Sequence, residues 1–498
     1  MKCVIEKMDH QGRGISFIDG KITFIENALP NEVVDIDITN EKKKFNEGIV
    51  KTYIEKSKDR IVPKCKYYDV CGGCNLMHLS YKKQLEYKEN KVKDILKRYA
   101  NYENVNSIIG SNDELNYRNK ITLKINKKMG YYKRKSNDIV YIDECKLANN
   151  KINKIIKDLN NINEFDNIYE VAIRDINETD TALTLYINKD SKYPKITEYA
   201  ALNNIKLNKI IRNKTNIIED KSKILGKLSN FTFIISPLAF FQVNTSQTVK
   251  LYNKVVEYLE PKKDENVMDL YCGTGTIGIY VSPHVKKVFG VEICKEAIED
   301  AKKNVALNNI TNAEFVCGDI EKVIRKVKAN FDSVIVDPPR SGLTNGVIED
   351  LFRINPNKIV YVSCDPITLA RDLKILSQNY EICEVTPFDM FPNTYHVETV
   401  VLLSRKDVYE RIKFDVNVED LQGRASSTAT YSEIKAYILE KYGLKVSSLY
   451  IAQIKDKCGF EKRDNYNIGE GKSKELICPP EKEQAIMDAF RHFGMLRD

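Results

Sequence analysis

Cys364 stands where an apolar run, Lys358-Ile-Val-Tyr-Val-Ser363, meets a sharp Asp365-Pro366 turn. The C-terminal mouth of a buried strand is where an open α/β sheet places its working groups, and a thiolate there is a ready nucleophile. Glu398 opens a later apolar run, Glu398-Thr-Val-Val-Leu-Leu, two residues after His396. A carboxylate at such a position can accept a proton from a bound substrate. Two more stretches carry chemistry: Asp269-Leu-Tyr271-Cys-Gly273-Thr-Gly275-Thr-Ile-Gly278 and Asp337-Pro-Pro-Arg340-Ser-Gly.

The first of these is a G-x-G-x-x-G loop between a strand and its helix, a pattern that taken alone suits a dinucleotide as well as S-adenosylmethionine. Asp269 helps to decide, because a carboxylate there welcomes an ammonium or sulfonium and repels a pyrophosphate. Asp337-Pro-Pro-Arg340 adds a rigid backbone edge beside the place of the methyl group, so the expected cofactor is S-adenosylmethionine. Glu292, ending the second strand, can hold ribose hydroxyls, and Asp319, after the third, can reach an adenine amino group.

Cys65, Cys71 and Cys74 form a C-x5-C-x2-C loop, and Cys145 stands alone further on. Three clustered thiols with a fourth brought in by the fold suit a tetrahedral thiolate site. Spacing alone leaves structural zinc and a [4Fe–4S] cluster both open. The chain has 12 cysteines, unevenly spaced, a pattern of ligands, one nucleophile and core residues rather than of disulfides. Cys272, Cys294, Cys317 and Cys383 read as structural.

These residues need elements to position them. From residue 231 to 406 strands and helices alternate, as in a doubly wound parallel sheet. The strands are Asn266–Leu270, Lys287–Glu292, Ala313–Cys317, Phe331–Asp337, the Cys364 strand and a final pair near Glu381 and Glu398. Residues 1–57 alternate as short strands around an Asp19-Gly20 hairpin signal, implying a small β-barrel. Residues 58–230 read as a central α+β domain. It opens with a helix capped by Ser80, whose Leu85, Val92, Ile95, Leu96 and Tyr99 share a face. Its Tyr117-Arg118-Asn-Lys120 run interleaves aromatic and basic side chains, a pattern that can grip single-stranded RNA but also suits a half-exposed sheet. Residues 425–430 read as a linker. The stretch 425–498 then reads as a helical accessory module resembling a winged helix, with Thr430-Tyr-Ser-Glu433 a capping box and glycines at 443 and 459 ending two of its helices.

A net charge of +8 on 498 residues is mild and leaves nucleic-acid binding to local clusters such as Lys42-Lys43-Lys44. No apolar run of membrane-spanning length occurs, and the amino terminus lacks a signal-peptide core. The expectation is a cytoplasmic monomer with no membrane association.

The barrel, with its Gly12-Arg-Gly14 loop, resembles a TRAM domain, an OB-like RNA-binding fold. Together with the four cysteines, Phe241-Gln242-Val-Asn244, the Asp269 glycine loop, Asp337-Pro-Pro-Arg340, Val362-Ser-Cys364-Asp-Pro and His396-Val-Glu398-Thr, it resembles the RNA (uracil-5-)-methyltransferase family over residues 3–405, most closely the branch acting on 23S rRNA. That resemblance implies a Rossmann-like methyltransferase domain and a [4Fe–4S] cluster on Cys65, Cys71, Cys74 and Cys145. It implies cofactor contacts at Gln242, Tyr271, Glu292 and Asp337, with Asp319 a further one. It also implies a mechanism in which Cys364 adds to carbon 6 of a uracil in RNA and Glu398 removes the carbon 5 proton. Thr276 departs from the Asn common at that place in the family.

Overall fold

Apolar runs bounded by polar turns become buried strands because a parallel sheet is covered on both faces and leaves no room for alternation. The catalytic sheet of the computed structural model follows this rule. The structure describes residues 1–176, 180–211, 217–219, 223–327, 329–407, 431–444, 446, 448–458, 478–493 and 495. They fall into two compact units, Met1–Arg405 and Lys406–Asp498. No helix among the described residues is long and apolar enough to cross a membrane.

The seven catalytic strands are β1 (Asn266–Leu270), β2 (Lys287–Glu292), β3 (Ala313–Cys317), β4 (Ser333–Val336), β5 (Lys358–Ser363), β6 (Tyr380–Phe388) and β7 (Glu398–Arg405). Their spatial order is β3-β2-β1-β4-β5-β7-β6. β1 to β5 run parallel, while β7 pairs antiparallel with both β5 and β6. The chain moves outward one way from β1 to β3 and the other way from β4 onward. The crevice therefore opens between β1 and β4, at the carboxyl ends. Consecutive residues bury opposite faces. Val267, Ile335, Val360 and Val362 meet Leu251, Tyr252 and Val255 of the helix Thr245–Leu259. Met268, Val334, Ile359 and Tyr361 meet Val92, Ile95 and Leu96 of the helix Tyr81–Ala100.

That second helix precedes the sheet by more than 150 residues in sequence, yet it covers one face of it. Ser80 occupies its N-cap without a side-chain hydrogen bond, so the capping expected of Ser80 is not made. Tyr99 is 47% exposed rather than buried. The buried stripe includes Gln84 and Lys88 instead. Lys88 is sealed from solvent and pairs with Asp389 at 2.5 Å, also donating to the Phe391 carbonyl at 3.0 Å. A buried ammonium is tolerated only with such partners, so this pair ties the helix to the turn after β6.

In residues 1–57 six short strands form one sheet whose edges are Lys2–Val4 and Lys7–Met8. The two edge strands are joined by Ile5 and Glu6 alone, so the sheet must curl into a barrel. Asp19 and Gly20 have φ of 49° and 75° between paired Ile18 and Lys21, the left-handed pair a two-residue hairpin requires. The central sheet has seven strands, with Lys120–Asn126, Ile168–Ile176, Asp180–Ile187 and Ile205–Ile211 at its middle. Tyr117 is buried and donates to the Pro392 carbonyl at 3.1 Å. It is therefore not free to stack on RNA as its interleaving with Arg118 allowed.

The second unit contains helices Tyr431–Tyr442, Ser448–Lys457 and Pro480–His492 around Ile434, Ile438, Ile451, Ile454, Ile486 and Phe490. Gly443 ends the first helix with φ of 65°, as a left-handed C-cap does. Asp488 accepts hydrogen bonds from Lys441, Tyr437 and Tyr442, which hold its carboxyl down to about 2. The expected linker at 425–430, the cap at Thr430 and Gly459 lie outside the described residues. No strand accompanies the helices among the described residues of this unit.

Candidate active site

The decisive geometry is a strand register. β5 and β7 pair Lys358 with Ser404 through Ser363 with Thr399, and one further step along that antiparallel ladder sets Cys364 across from Glu398. β4 and β5 pair Val336 with Tyr361 in parallel, so Asp337 leaves its strand on the same rim. The sheet thus brings together three groups separated by up to 61 positions in sequence.

Their electrostatics follow from burial. Glu398 is 5% exposed, and desolvation, with the Asp337 carboxylate adding to it and Arg340 opposing, pushes its carboxyl up to about 8. Asp337 is raised by burial to about 7. The half-buried Cys364 thiol is pushed up to about 12, by burial first, then by the charges of Glu398 and Asp337, with Arg340 acting the other way. Asp365, next to it, accepts the amides of Ile367 and Thr368 and caps the helix Pro366–Leu376. The Asp-Pro turn therefore starts a helix while leaving the thiol at the strand mouth.

The glycine loop lies on the other side of the crevice. Tyr271 follows β1 with φ of 62°, a conformation strained for a side chain of its size. Gly273 and Gly275 continue at 53° and 78°, and a Cβ on Gly275 would stand 2.8 Å from Phe315. Asp269 is fully buried. One carboxylate oxygen accepts the Gly278 amide at 2.9 Å, and the other, Oδ1, has no partner. Through that first oxygen it holds the loop against β1. Glu292 accepts amides from Gly273 and Cys294 at 3.2 and 2.8 Å. Asp319 caps the helix Ile320–Lys326 by accepting from Lys322 at 3.1 Å. Gln242 is buried, its carbonyl accepting from Asn119 at 3.0 Å, so the central sheet anchors this segment. Thr276 pairs its hydroxyl with Tyr252 at 2.8 Å.

Gln242, Tyr271, Glu292 and Asp337 are spread over one domain, whose parallel strands β1 to β5 end on the side of this crevice. Across 80% of the chain and 95% of the other protein, this sequence is 39% identical to an uncharacterized RNA methyltransferase of Clostridium tetani, and it is 37% identical to one of Staphylococcus aureus over 80% and 96%. The family model for tRNA (uracil-5-)-methyltransferase matches residues 80–406. The chain belongs to that family. A solved Pyrococcus abyssi tRNA (uracil-54, C5)-methyltransferase, in complex with S-adenosyl-L-homocysteine, superposes with a TM-score of 0.67 at 30% identity, covering 81% of this chain and 99% of its own. The protein is an S-adenosylmethionine-dependent RNA (uracil-5-)-methyltransferase with a Rossmann-like catalytic domain.

The methyltransferase's other cysteines divide clearly. Cys65, Cys71, Cys74 and Cys145 line one cavity of about 50 Å³, walled by Tyr67, Tyr68, Met77 and Tyr131. Among the described residues no group of three or more His, Cys, Asp or Glu side chains could hold a single metal ion. Cys272 is buried beside the glycine loop, whereas Cys294 and Cys317 are exposed on its rim. The structural reading of those two is corrected accordingly.

Sequence reasoning assigned no role to Lys88, Lys91 or the pairing of Arg340 with His396. Lys88 carried a visible signal, a lysine in line with Gln84 and Val92 on an apolar stripe. Its partner Asp389 lies 301 positions away, beyond any local pattern.

Proposed function

We propose that this methyltransferase makes 5-methyluridine in 23S rRNA through a covalent bond between the Cys364 sulfur and carbon 6 of the target uracil. The observation that carries the reading is the register that sets Cys364 opposite Glu398 on one rim. Carbon 5 of uracil is a weak nucleophile. Sulfur addition at carbon 6, with loss of the thiol proton to water, turns the ring into an enolate nucleophilic at carbon 5. S-adenosylmethionine, when bound, supplies the methyl group. Glu398 then takes the carbon 5 proton, the 5,6 double bond re-forms, and the sulfur leaves. A carboxyl poised near 8 suits that task, because a general base works best with a pKa near ambient pH.

The residues present fit the methyl donor. The glycine loop cannot carry side chains at Gly275, and Glu292 and Tyr271 stand at adjacent strand ends. In this reading Gln242, Tyr271, Glu292 and Asp337 hold the donor, with Asp319 beside them. Cys65, Cys71, Cys74 and Cys145 would hold a [4Fe–4S] cluster rather than zinc. What supports a shared thiolate site is that all four thiols line one cavity; the choice of a cluster over zinc follows the family resemblance. The barrel, on which Phe17 and Ile49 are exposed, is read as a TRAM-like contact for the RNA strand.

A second reading, transfer RNA as substrate, is favoured by the likeness to the Pyrococcus protein over 81% of this chain, the share that the barrel, central and catalytic regions make up together. RNA containing 5-fluorouridine, mixed with enzyme and S-adenosylmethionine, tests the chemistry: a covalent adduct is expected with wild type and none with Cys364→Ala. An adduct that persists in Cys364→Ala sinks the mechanism. Presenting 23S rRNA and transfer RNA separately, with mass spectrometry of the nucleosides, decides the substrate.

A further inference from the structure

His396 sits two residues before Glu398, in the turn between β6 and β7, and the Arg340 guanidinium lies 3.3 Å from its Nδ1. A guanidinium can only donate, so Nδ1 accepts and the hydrogen of a neutral ring resides on Nε2. The ring is held between Tyr395, with centroids 4.3 Å apart, and Phe391, edge-on at 6.1 Å. Nε2 has no partner among the described residues and, unlike Nε2 of His78, is not sealed from solvent. The surroundings keep the ring neutral. Burial first, then the cations Arg340, Lys91, Lys88 and Arg118, push its pKa down to about 3, with Asp337 and Glu398 the carboxyl groups on the same rim. An imidazole so placed does not exchange protons near neutrality. It carries one fixed N–H donor that no group among the described residues takes up, two residues from Glu398.

The covalent chemistry proposed above needs such a donor. When sulfur adds to carbon 6, the electron pair of the 5,6 double bond moves toward the carbonyl at carbon 4, and negative charge develops on its oxygen. In the reading above Glu398 is engaged with the carbon 5 proton and Asp337 with the methyl donor, which leaves that oxygen without an assigned donor. We propose that His396 donates its Nε2 hydrogen to the uracil carbonyl oxygen on which the enolate charge develops, with Arg340 fixing the tautomer. No proton is transferred. The donor strengthens its hydrogen bond as the oxygen becomes an oxyanion, which is how preorganised donors accelerate acyl and enolate chemistry. This assignment rests on the covalent reading of Cys364.

The experiment follows single-turnover adduct formation on 5-fluorouridine RNA with wild type, His396→Ala and His396→Gln, alongside the RNA dissociation constant and melting temperature of each. His396→Ala is expected to slow adduct formation roughly 10²-fold while RNA affinity stays within about threefold. His396→Gln, which retains an N–H donor, is expected to recover part of the rate, and the wild-type profile should show no inflection from this imidazole between pH 5 and 9. Adduct formation at the wild-type rate in His396→Ala, a loss confined to RNA affinity, or no advantage of Gln over Ala, overturns the assignment. Absence of an adduct in wild type overturns the covalent reading instead, so the two failures are distinct.

Discussion

At the rim of the catalytic sheet one half-buried thiol, Cys364, faces two desolvated carboxyls and a guanidinium, whereas in the central region four thiols surround a single cavity walled by tyrosines and a methionine. In the function proposed above, the same functional group serves opposite ends. Cys364 is delivered by a strand end and a capped helix, and its neighbours are carboxyls and a guanidinium. Cys65, Cys71, Cys74 and Cys145 sit on loops, and they share a cavity with Tyr67, Tyr68, Met77 and Tyr131 as well as with Arg118, Glu144 and Lys146. What separates the two settings is what each thiol faces, not its own burial, which is intermediate at all five.

Removing either kind of thiol should separate chemistry from folding. Cys364→Ala is expected to lower methyl transfer by roughly 10⁴-fold or more and leave the melting temperature within about 2 °C; a folding loss instead would erase the contrast. Glu398→Gln is expected to cost roughly 10²–10⁴-fold in turnover, with an RNA adduct accumulating on ordinary uridine because the carbon 5 proton cannot leave. Denaturing gels that show no such adduct would argue for another base. Cys74→Ser should act the other way. Visible absorbance of anaerobically purified protein disappears and the melting temperature falls by about 5 °C or more, while residual enzyme still forms the Cys364 adduct.

The smallest effect is in the pH dependence. Glu398 is raised to about 8 in the folded protein, above its ordinary value near 4.3. The folded state therefore binds this proton more tightly, and the stability it contributes is full below about pH 4.3 and lost as pH rises through about 8. At pH 8.5, Glu398→Gln should melt about 2–5 °C above wild type, even though its turnover is impaired. The rate of proton removal should in turn fall as pH drops below about 8, since only the carboxylate accepts a proton.

Much of the fold was legible because its signals are local. β1, β2 and β3 coincide with their expected bounds, since buried strands are short apolar runs closed by polar turns. Phe331 and Asp337 fall outside β4, Phe331 before its amino end and Asp337 at the carboxyl end, where the ladder gives way to the crevice. The Asp19-Gly20 hairpin needed only two adjacent residues able to adopt positive φ. The helix Tyr81–Ala100 was legible as a helix, but not its partner: Val92 and Leu96 cover the catalytic sheet, and Lys88 reaches Asp389.

From its sequence alone this protein's sites were decided as to type: which residues end strands, which glycines open a loop, and which family the motifs resemble. Those depend on steric and hydrophobic preferences that act over a few residues. Only the tertiary structure decided that Cys364 stands opposite Glu398, that Asp269 holds the glycine loop, and that Arg340 orients His396. The first and last arise from strand register or packing between segments 34 and 56 positions apart, and the second from a loop folding back on its own strand. The charges and tautomers that make the site work follow from the desolvation this packing imposes.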